Sequence, residues 1–122
     1  VLLVEDNVVN QLIGKEILLQ MGLKVDVAEN GRKALQALED KAYDLVLMDC
    51  QMPEMDGYEA TRMIRQWEQA EQRTRLPIIA LTAHAMPGDR EKCLETGMDD
   101  YLIKPFQLEE IKRLLKRWLA TR

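Results

Sequence analysis

Residues 45–57, with the sequence LVLMDCQMPEMDG, constrain the fold more than any other stretch of the chain. The four apolar residues at its start are typical of a strand that is covered on both faces. The run ends on Asp49, and the chain then turns through Pro53 and Gly57, with a second acid, Asp56, just before the glycine. A carboxylate beside a buried strand costs free energy unless a charged partner meets it. The sequence therefore raises the question of which group meets Asp49.

Short apolar runs alternate with helical patterns on both sides of this stretch. The other runs lie at residues 1–4, 25–28, 78–81 and 101–103. Apolar residues recur at helical spacing between and after the runs, at Val9, Leu12, Ile13 and Ile17, at Ala34, Leu35 and Leu38, at Ala60, Met63, Ile64 and Trp67, and at Leu108, Ile111, Leu114, Leu115 and Trp118. A further segment, residues 87–96, has few apolar residues but begins with a proline and is followed by a glycine, as helices often are.

Strand followed by helix, five times over, predicts the α/β class. Such a (βα)5 chain forms a doubly wound parallel five-stranded sheet with helices on both faces and right-handed crossovers. Residues 25–28 alternate between apolar and polar side chains, which favours a position at the sheet edge. The spacing leaves the order of the strands open.

The composition is that of a single globular domain. Its 122 residues, 47% hydrophobic and 31% charged, are enough to bury one core. A net charge of -4 argues against a nucleic-acid surface, which normally carries a basic stripe. No apolar run approaches the roughly 20 residues of a membrane span, and no signal-peptide pattern is present. We therefore expect a cytoplasmic domain without direct nucleic-acid or membrane contact, in which Cys50 and Cys93 are buried free thiols.

Polar residues stand where the predicted strands end. The run at 1–4 is followed by Glu5 and Asp6, and the other buried runs end on Asp49, Thr82 and Lys104. In a parallel sheet these carboxyl ends lie along one edge, where ligands of open α/β sheets bind. Acids at close range need a cation, and an all-oxygen donor set favours Mg²⁺. A lysine and a hydroxyl beside them suit a phosphoryl group on the strand-end carboxylate.

Four motifs at these strand ends resemble the receiver domain of two-component response regulators. They are LLVEDN at 2–7, DLVLMDCQMPEMDG at 44–57, IIALTAHA at 78–85 and YLIKPF at 101–106. The match runs the length of the chain, so that residues 1–122 form one receiver, or phosphoacceptor, domain. Because the chain starts directly on VLLVE without an initiator Met, we expect it to be an excerpt from a longer multidomain protein. The resemblance implies a flavodoxin-like sheet of strand order 2-1-3-4-5.

The resemblance also implies the members of the metal site. Asp49 would be the phosphoacceptor, and Asp6 would bind Mg²⁺ directly. Glu5 would assist, often through water, and the metal would also take a carboxylate oxygen of Asp49 and the backbone carbonyl of Gln51. Many receivers have two aspartates where this chain has Glu5 and Asp6, and the longer glutamate side chain puts its direct ligation in doubt.

Further roles follow from the same resemblance. Thr82 and Lys104 would contact the phosphoryl group, and Tyr101 would swing inward when Thr82 moves. The bond between Lys104 and Pro105 would be cis, a geometry that is rare except before proline.

Simpler interpretations apply to individual residues. Asp6 could cap the first helix and Lys104 could be a surface lysine, although either leaves Asp49 without an explanation. Asp56 is expected to cap the third helix rather than bind metal. His84, the single histidine, is expected to be a solvated loop residue near the mouth of the site.

The function implied is that of a phosphorelay receiver. A histidine kinase phosphodonor domain would supply the phosphoryl group, and the receiver would catalyse its own phosphorylation and autodephosphorylation. The motifs at 5–7, 49–65 and 81–85 resemble receivers of hybrid sensor histidine kinases, whose parent proteins can be anchored in the inner membrane. Such receivers usually pass the phosphoryl group to a histidine phosphotransfer domain, which would partly face Val9, Leu12 and Ile13.

Three other functions use similar residues or a similar domain. The receiver could instead gate a fused output domain, such as a DNA-binding domain, and a weak homodimer through the fourth helix, fifth strand and fifth helix is compatible with the resemblance. A haloacid-dehalogenase-type phosphatase also uses a strand-end aspartate with Mg²⁺, but it needs a second acid two residues later, where this chain has Gln51. A degenerate receiver that only binds partners would lack the complete set of strand-end residues.

Overall fold

Strands and helices alternate along the part of the chain that the structure, a computed structural model, describes: residues 1–50, 52, 55–82, 88–104 and 107–119. The elements are β1 (Leu2–Val4), α1 (Val8–Gln20), β2 (Asp26–Ala28), α2 (Gly31–Asp40), β3 (Val46–Asp49), α3 (Gly57–Ala70), β4 (Ile78–Thr82), α4 (Asp89–Thr96), β5 (Asp100–Ile103) and α5 (Leu108–Leu119). Among the described residues, no helix is both long enough and apolar enough to cross a bilayer.

The five strands form one parallel sheet in the order β2-β1-β3-β4-β5. This order confirms the fold class and the order that the resemblance implied. The alternating strand β2 lies at one edge of the sheet, as predicted, and β5 lies at the other. In the register, Asp49 at the end of β3 pairs with Leu81, and Thr82 at the end of β4 pairs with Ile103. The strand ends that carry the polar residues are therefore neighbours.

Each face of the sheet buries its own core. Side chains such as Val4, Val46 and Ile78 pack on one face with α2, α3 and Cys93 of α4. Leu3, Leu47 and Ile79 and their neighbours pack on the other with α1 and α5. Each fully buried aliphatic side chain contributes about 1.5–3 kcal/mol. The continuous apolar runs are thus explained by a sheet that is covered on both faces.

Helix α1 buries less of its predicted apolar stripe than the spacing suggests. Its buried residues are Gly14 and Leu18, whereas Val9, Leu12 and Ile13 are 62%, 64% and 53% exposed. The helical period was predicted correctly, but it does not reveal that part of the stripe faces away from the sheet.

Side-chain caps fix the start of three helices. Asn7 caps α1 and Asn30 caps α2, and the Asp56 carboxylate accepts a hydrogen bond from the Glu59 amide at 2.9 Å at the start of α3. The prediction that Asp56 is a helix cap is therefore confirmed. Helix α4 is shorter than residues 87–96, and its buried residue is Cys93.

Gly57 lets α3 begin directly against the end of β3. Its amide donates to the Cys50 carbonyl oxygen at 3.1 Å, and a Cβ at this position would overlap the backbone carbonyl oxygen of Asp49. Only a residue without a side chain allows this close approach.

A network of charged side chains lies at the opposite edge of the sheet, where the strands begin. We call Arg65, Glu68, Arg75 and Asp99 the basal network. The Arg65 guanidinium donates to Glu68 Oε1 and to Asp99 Oδ2, both at 2.8 Å, and Arg75 Nε donates to Asp99 Oδ1 at 2.9 Å. The three side chains of Arg65, Glu68 and Asp99 are only 10–14% exposed. The network thus pairs two guanidinium groups with two carboxylates.

Backbone groups complete the basal network. Arg65 also donates to the carbonyl oxygens of Leu76 and Gly97, each at 2.8 Å. Glu68 accepts from the Leu76 amide at 2.7 Å, and Asp99 accepts from the Ile78 amide at 2.9 Å. The network therefore ties α3 to the segments that lead into β4 and β5.

Candidate functional site

The polar residues that follow the strands meet in one cleft at the carboxyl edge of the sheet. Glu5 and Asp6 follow β1, Asp49 ends β3, Thr82 ends β4, and Lys104 follows β5. Together with Asn7, Asn10 and Cys50 they line a cleft of about 230 Å³. The structure thus brings together five residues that are far apart in the sequence, as their positions at strand ends predicted.

Lys104 is the charged partner of the strand-end acid. Its ammonium lies 3.0 Å from Asp49 Oδ2 and 3.3 Å from Glu5 Oε2. Asp49 and Glu5 are 4% and 2% exposed, whereas Asp6 is exposed to solvent. A single ammonium therefore faces two buried carboxylates, with a third carboxylate beside them.

Burial and the crowding of charge together shift the pKa values of these groups. Burial, and then the neighbouring Glu5 carboxyl, raise the pKa of Asp49 to about 7, although Lys104 acts in the opposite direction. Burial alone would raise the pKa of Glu5 too, but hydrogen bonds from Asp49, Asn10 and Lys104 lower it. The two carboxylates raise the pKa of Lys104 despite its burial. Of the pair, Asp49 is the acid whose pKa is raised and Glu5 the acid whose pKa is lowered.

The donor set fits a hard divalent cation. Glu5, Asp6 and Asp49 each offer a carboxylate oxygen, and these three oxygens lie within 4.8 Å of one another. All are oxygens, the ligands that Mg²⁺ prefers, and the exposed Asp6 leaves room for the waters that Mg²⁺ keeps. A cation here would relieve the repulsion that raises the pKa of Asp49.

Two amide side chains at the site were missed by the sequence analysis. Asn10 Nδ2 donates to Glu5 Oε1 at 2.9 Å, and Gln11 Nε2 donates to the Glu5 backbone carbonyl at 2.6 Å. Both stand in the first turns of α1, which starts next to the acid pair. The sequence does carry a signal for them. Both amides lie within about one helical turn of Asn7, the cap residue that directly follows the two acids.

Other predicted residues lie in or near the cleft, or outside the described part of the chain. Thr82 is 6% exposed and lines the cleft, whereas Tyr101 is half-buried on β5 and packs against the core. Three predictions fall outside the described residues: the metal-ligating carbonyl of Gln51, the loop position of His84 and the cis bond before Pro105.

Both cysteines have the predicted character of buried free thiols. Cys50, which follows Asp49, and Cys93 of α4 are each 2% exposed. Burial raises the pKa of Cys50 to about 12, so that it stays protonated.

The sequence and the structure were compared with known proteins. A family model described as "Response regulator receiver domain" matches residues 1–116. The chain is 47% identical over 118 residues to "Sensor histidine kinase GacS" of Pseudomonas protegens, covering 97% of this chain and 13% of that protein. It is 45% identical over 119 residues to "Hybrid signal transduction histidine kinase B" of Dictyostelium discoideum, covering 91% of this chain and 6% of that protein. The chain thus spans a small part of the length of these curated relatives.

Two solved structures resemble the fold closely. One is the receiver domain of the sensor histidine kinase PA1611 from Pseudomonas aeruginosa, which has a magnesium ion coordinated in its active-site cleft. It gives a TM-score of 0.87 at 50% identity and covers 98% of this chain and 95% of that one. The other is the receiver domain of Ssk1 in complex with the histidine phosphotransfer protein Ypd1, both from Saccharomyces cerevisiae. It gives a TM-score of 0.94 at 32% identity and covers 98% of this chain and 88% of that one.

Proposed function

The chain belongs to the family of response regulator receiver domains, and we propose that Asp49 is the residue on which it accepts the phosphoryl group. The family match agrees with the resemblance drawn from the four sequence motifs, and it makes the chain a signalling domain of two-component phosphorelay systems. One observation carries the assignment of Asp49. Its carboxylate ends a central strand, is almost fully buried, and lies 3.0 Å from a lysine and close to two further acids.

The chemistry follows from this arrangement. A carboxylate oxygen of Asp49 forms a bond to the phosphorus while the bond from phosphorus to the donor imidazole nitrogen breaks, and the imidazole leaves. Lys104, which pairs with Asp49 before the reaction, is placed to neutralise a phosphoryl oxygen afterwards. The Thr82 hydroxyl, in the same cleft, is placed to donate a hydrogen bond to another. Attack by water on the same phosphorus would release phosphate and restore the carboxylate.

Mg²⁺ is the proposed cofactor, held by Asp6 and Asp49 with Glu5 in support. When bound, it would neutralise charge on the phosphoryl oxygens. Two observations support this choice: the three-oxygen donor set of this chain, and the magnesium ion in the cleft of the Pseudomonas aeruginosa receiver domain. The backbone carbonyl of Gln51 and the cis bond before Pro105 stay predictions, as does the switch role of Tyr101.

The proposed partner is a histidine phosphotransfer domain. Val8, Val9, Leu12 and Ile13 form an exposed apolar patch on α1, the helix whose Asn7 and Asn10 line the cleft. A phosphohistidine must approach Asp49 from the same side of the molecule. The Ssk1 receiver domain, which is similar to this chain, is in complex with a phosphotransfer protein. Because the relatives GacS and the Dictyostelium protein are histidine kinases, we propose a hybrid histidine kinase as the parent, with residues 1–122 as one cytoplasmic domain of it.

The phosphoacceptor is tested by intact-mass measurement after incubation with acetyl phosphate and Mg²⁺. We expect one added phosphoryl group, which disappears in Asp49→Asn and after chelation of the metal. Asp56→Asn is a matched control, because asparagine also caps helices and the folded protein should still be phosphorylated. A phosphoryl group that persists in Asp49→Asn would refute the assignment.

The partner is tested by transfer of the phosphoryl group to a purified histidine phosphotransfer protein. Leu12→Ser should slow this transfer while leaving phosphorylation by acetyl phosphate unchanged, because Leu12 does not line the cleft in which the small donor reacts. Equal transfer rates for Leu12→Ser and the parent chain would show that the α1 patch does not dock the partner. Absence of transfer from the parent chain would favour a receiver that gates a fused output domain, or a weak homodimer through α4, β5 and α5, instead of a relay.

A further inference from the structure

We propose that Asn10 is a positioning residue of the cation site, whose side-chain amide fixes the Glu5 carboxylate in the orientation that serves the cation. This inference rests on the proposed function, because it takes Glu5, Asp6 and Asp49 as the cation site. It concerns Asn10, a residue of α1, whereas the residues assigned to the site so far are acids and other residues at the strand ends.

The contacts of Glu5 show how its side chain is held. One carboxylate oxygen accepts from Asn10 Nδ2 at 2.9 Å, and the other lies 3.3 Å from Lys104 Nζ. The Glu5 backbone is held separately, by Gln11 Nε2 at 2.6 Å. With Glu5 only 2% exposed, solvent offers little to replace these partners. Asn10 is therefore one of the side chains, with Lys104 and Asp49, that orient the Glu5 carboxylate.

The local fold puts the Asn10 amide in this place. Asn7 caps α1, and its side chain accepts from the Asn10 backbone amide at 3.1 Å. Asn10 thus stands in the first helical turn, where side chains lean back toward the start of the helix and so toward the end of β1. The cap fixes the residue at which α1 begins, and this places the Asn10 side-chain amide beside the Glu5 carboxylate.

A glutamate needs this support more than an aspartate does. It has one more rotatable bond, so that its carboxylate reaches a given orientation only when something holds it there. Without Asn10, the Glu5 carboxylate would be left with Lys104 and Asp49, which themselves pair with each other at 3.0 Å. The Glu5 carboxylate would then turn toward Lys104 and compete with Asp49 for the same ammonium. By holding the other oxygen, the Asn10 amide keeps Glu5 available to the cation and Lys104 available to Asp49.

The test is a double-mutant cycle on Mn²⁺ binding, measured by electron paramagnetic resonance of the free ion, since Mn²⁺ binds the oxygen ligands that suit Mg²⁺. We expect Asn10→Ala to weaken Mn²⁺ binding about tenfold, as is typical when the partner of a metal ligand is removed. Asn10→Leu, which keeps the side-chain volume without the donor, should give the same loss. In a Glu5→Ala background, Asn10→Ala should cause no further loss.

Two results would overturn the proposal: unchanged Mn²⁺ affinity in Asn10→Ala and Asn10→Leu, or an equal loss with and without Glu5. Gln20→Ala is the matched control, because it removes another exposed amide of α1, one that donates to Glu16 at 3.4 Å and does not line the cleft. It should leave Mn²⁺ binding unchanged.

Failure of the proposed function would be seen separately. If neither Asp6→Ala nor Asp49→Asn weakens Mn²⁺ binding, the cation is not held by these acids, and the inference falls with the proposed function. If both variants weaken it while Asn10→Ala does not, only the role of Asn10 is refuted. Thermal unfolding without metal, compared between Asn10→Ala and Gln20→Ala, shows whether any loss comes from folding rather than from positioning.

Discussion

The two ends of the sheet each carry a cluster of buried charges, and the clusters differ in how those charges are balanced. In the basal network, the guanidinium groups of Arg65 and Arg75 face the carboxylates of Glu68 and Asp99, and backbone amides and carbonyls take up further hydrogen bonds. At the carboxyl edge, among the described residues, the ammonium of Lys104 pairs with the carboxylates of Glu5 and Asp49, and the Asp6 carboxylate lies beside these two acids.

The difference shows what each end is built to do. A buried charge network that is matched and fully hydrogen-bonded contributes to one defined structure. A buried site with surplus negative charge raises the pKa of its central acid and is completed only by a cation. The amino-terminal edge is therefore a structural junction, and the carboxyl edge is a binding site.

The largest effect is expected from breaking the basal network. Arg65→Ala leaves the carboxylates of Glu68 and Asp99 without their main partner, and it should lower the free energy of unfolding by about 3 kcal/mol. Urea denaturation measures this loss. Arg62→Ala, an exposed position on the same helix, is the control and should change little.

Phosphorylation of Arg65→Ala tests whether the two charge clusters act independently of each other. Folded Arg65→Ala should still accept a phosphoryl group from acetyl phosphate, because the network does not touch the cleft. Loss of phosphorylation in the folded variant would show that the two clusters do not act independently.

A smaller effect of opposite sign is expected at the carboxyl edge. Without metal at pH 8, Asp49→Asn should be more stable than the parent chain by about 1 kcal/mol, because it removes one of the crowded charges. The pKa of Asp49 is raised from 3.8 to about 7 on folding, so its contribution to stability is present at low pH and is lost as the pH rises through 7. The advantage of Asp49→Asn should therefore shrink as the pH falls below 7 and vanish below 3.8, as measured by urea denaturation across this range.

Saturating Mg²⁺ should reverse the comparison at pH 8, because the cation binds the folded parent chain and stabilises it. If Asp49→Asn is less stable than the parent chain at pH 8 without metal, the surplus charge is not a source of instability.

The smallest effect is expected for an exposed ion pair near the basal network. Lys41 lies 3.1 Å from Asp26, with side chains 59% and 47% exposed. Lys41→Ala should change the free energy of unfolding by no more than about 0.5 kcal/mol, since water screens such pairs. A loss as large as that of Arg65→Ala would mean that burial does not explain the strength of the basal network.

The two clusters also differ in how far they could be predicted from the sequence. The cleft was predictable because each of its acids, its threonine and its lysine directly follows an apolar run, and parallel strands bring such positions to one edge. The basal network was not. Arg65 and Glu68 have the spacing of an ordinary surface pair on a helix, and Asp99 lies 34 residues from Arg65 in the sequence.

The first helix shows the same limit. Its apolar spacing predicted a helix correctly, but Val9, Leu12 and Ile13 give the same pattern whether they face the sheet or the solvent. The orientation of the helix depends on packing that no local pattern encodes, whereas the contact between Asn10 and Glu5 follows from the position of Asn10 in the first turn after the two acids.

Helix α3 joins the two clusters physically. It begins at Gly57 against the carbonyl of Asp49, and Arg65 follows eight residues later, about 12 Å along the helix axis. A methyl group at position 57 would push the start of the helix away from the strand, and a rigid helix would carry that displacement to the contacts of Arg65. The absence of one carbon atom at Gly57 therefore sets the spacing between Asp49, the proposed phosphoacceptor, and the basal network at the other end of the sheet.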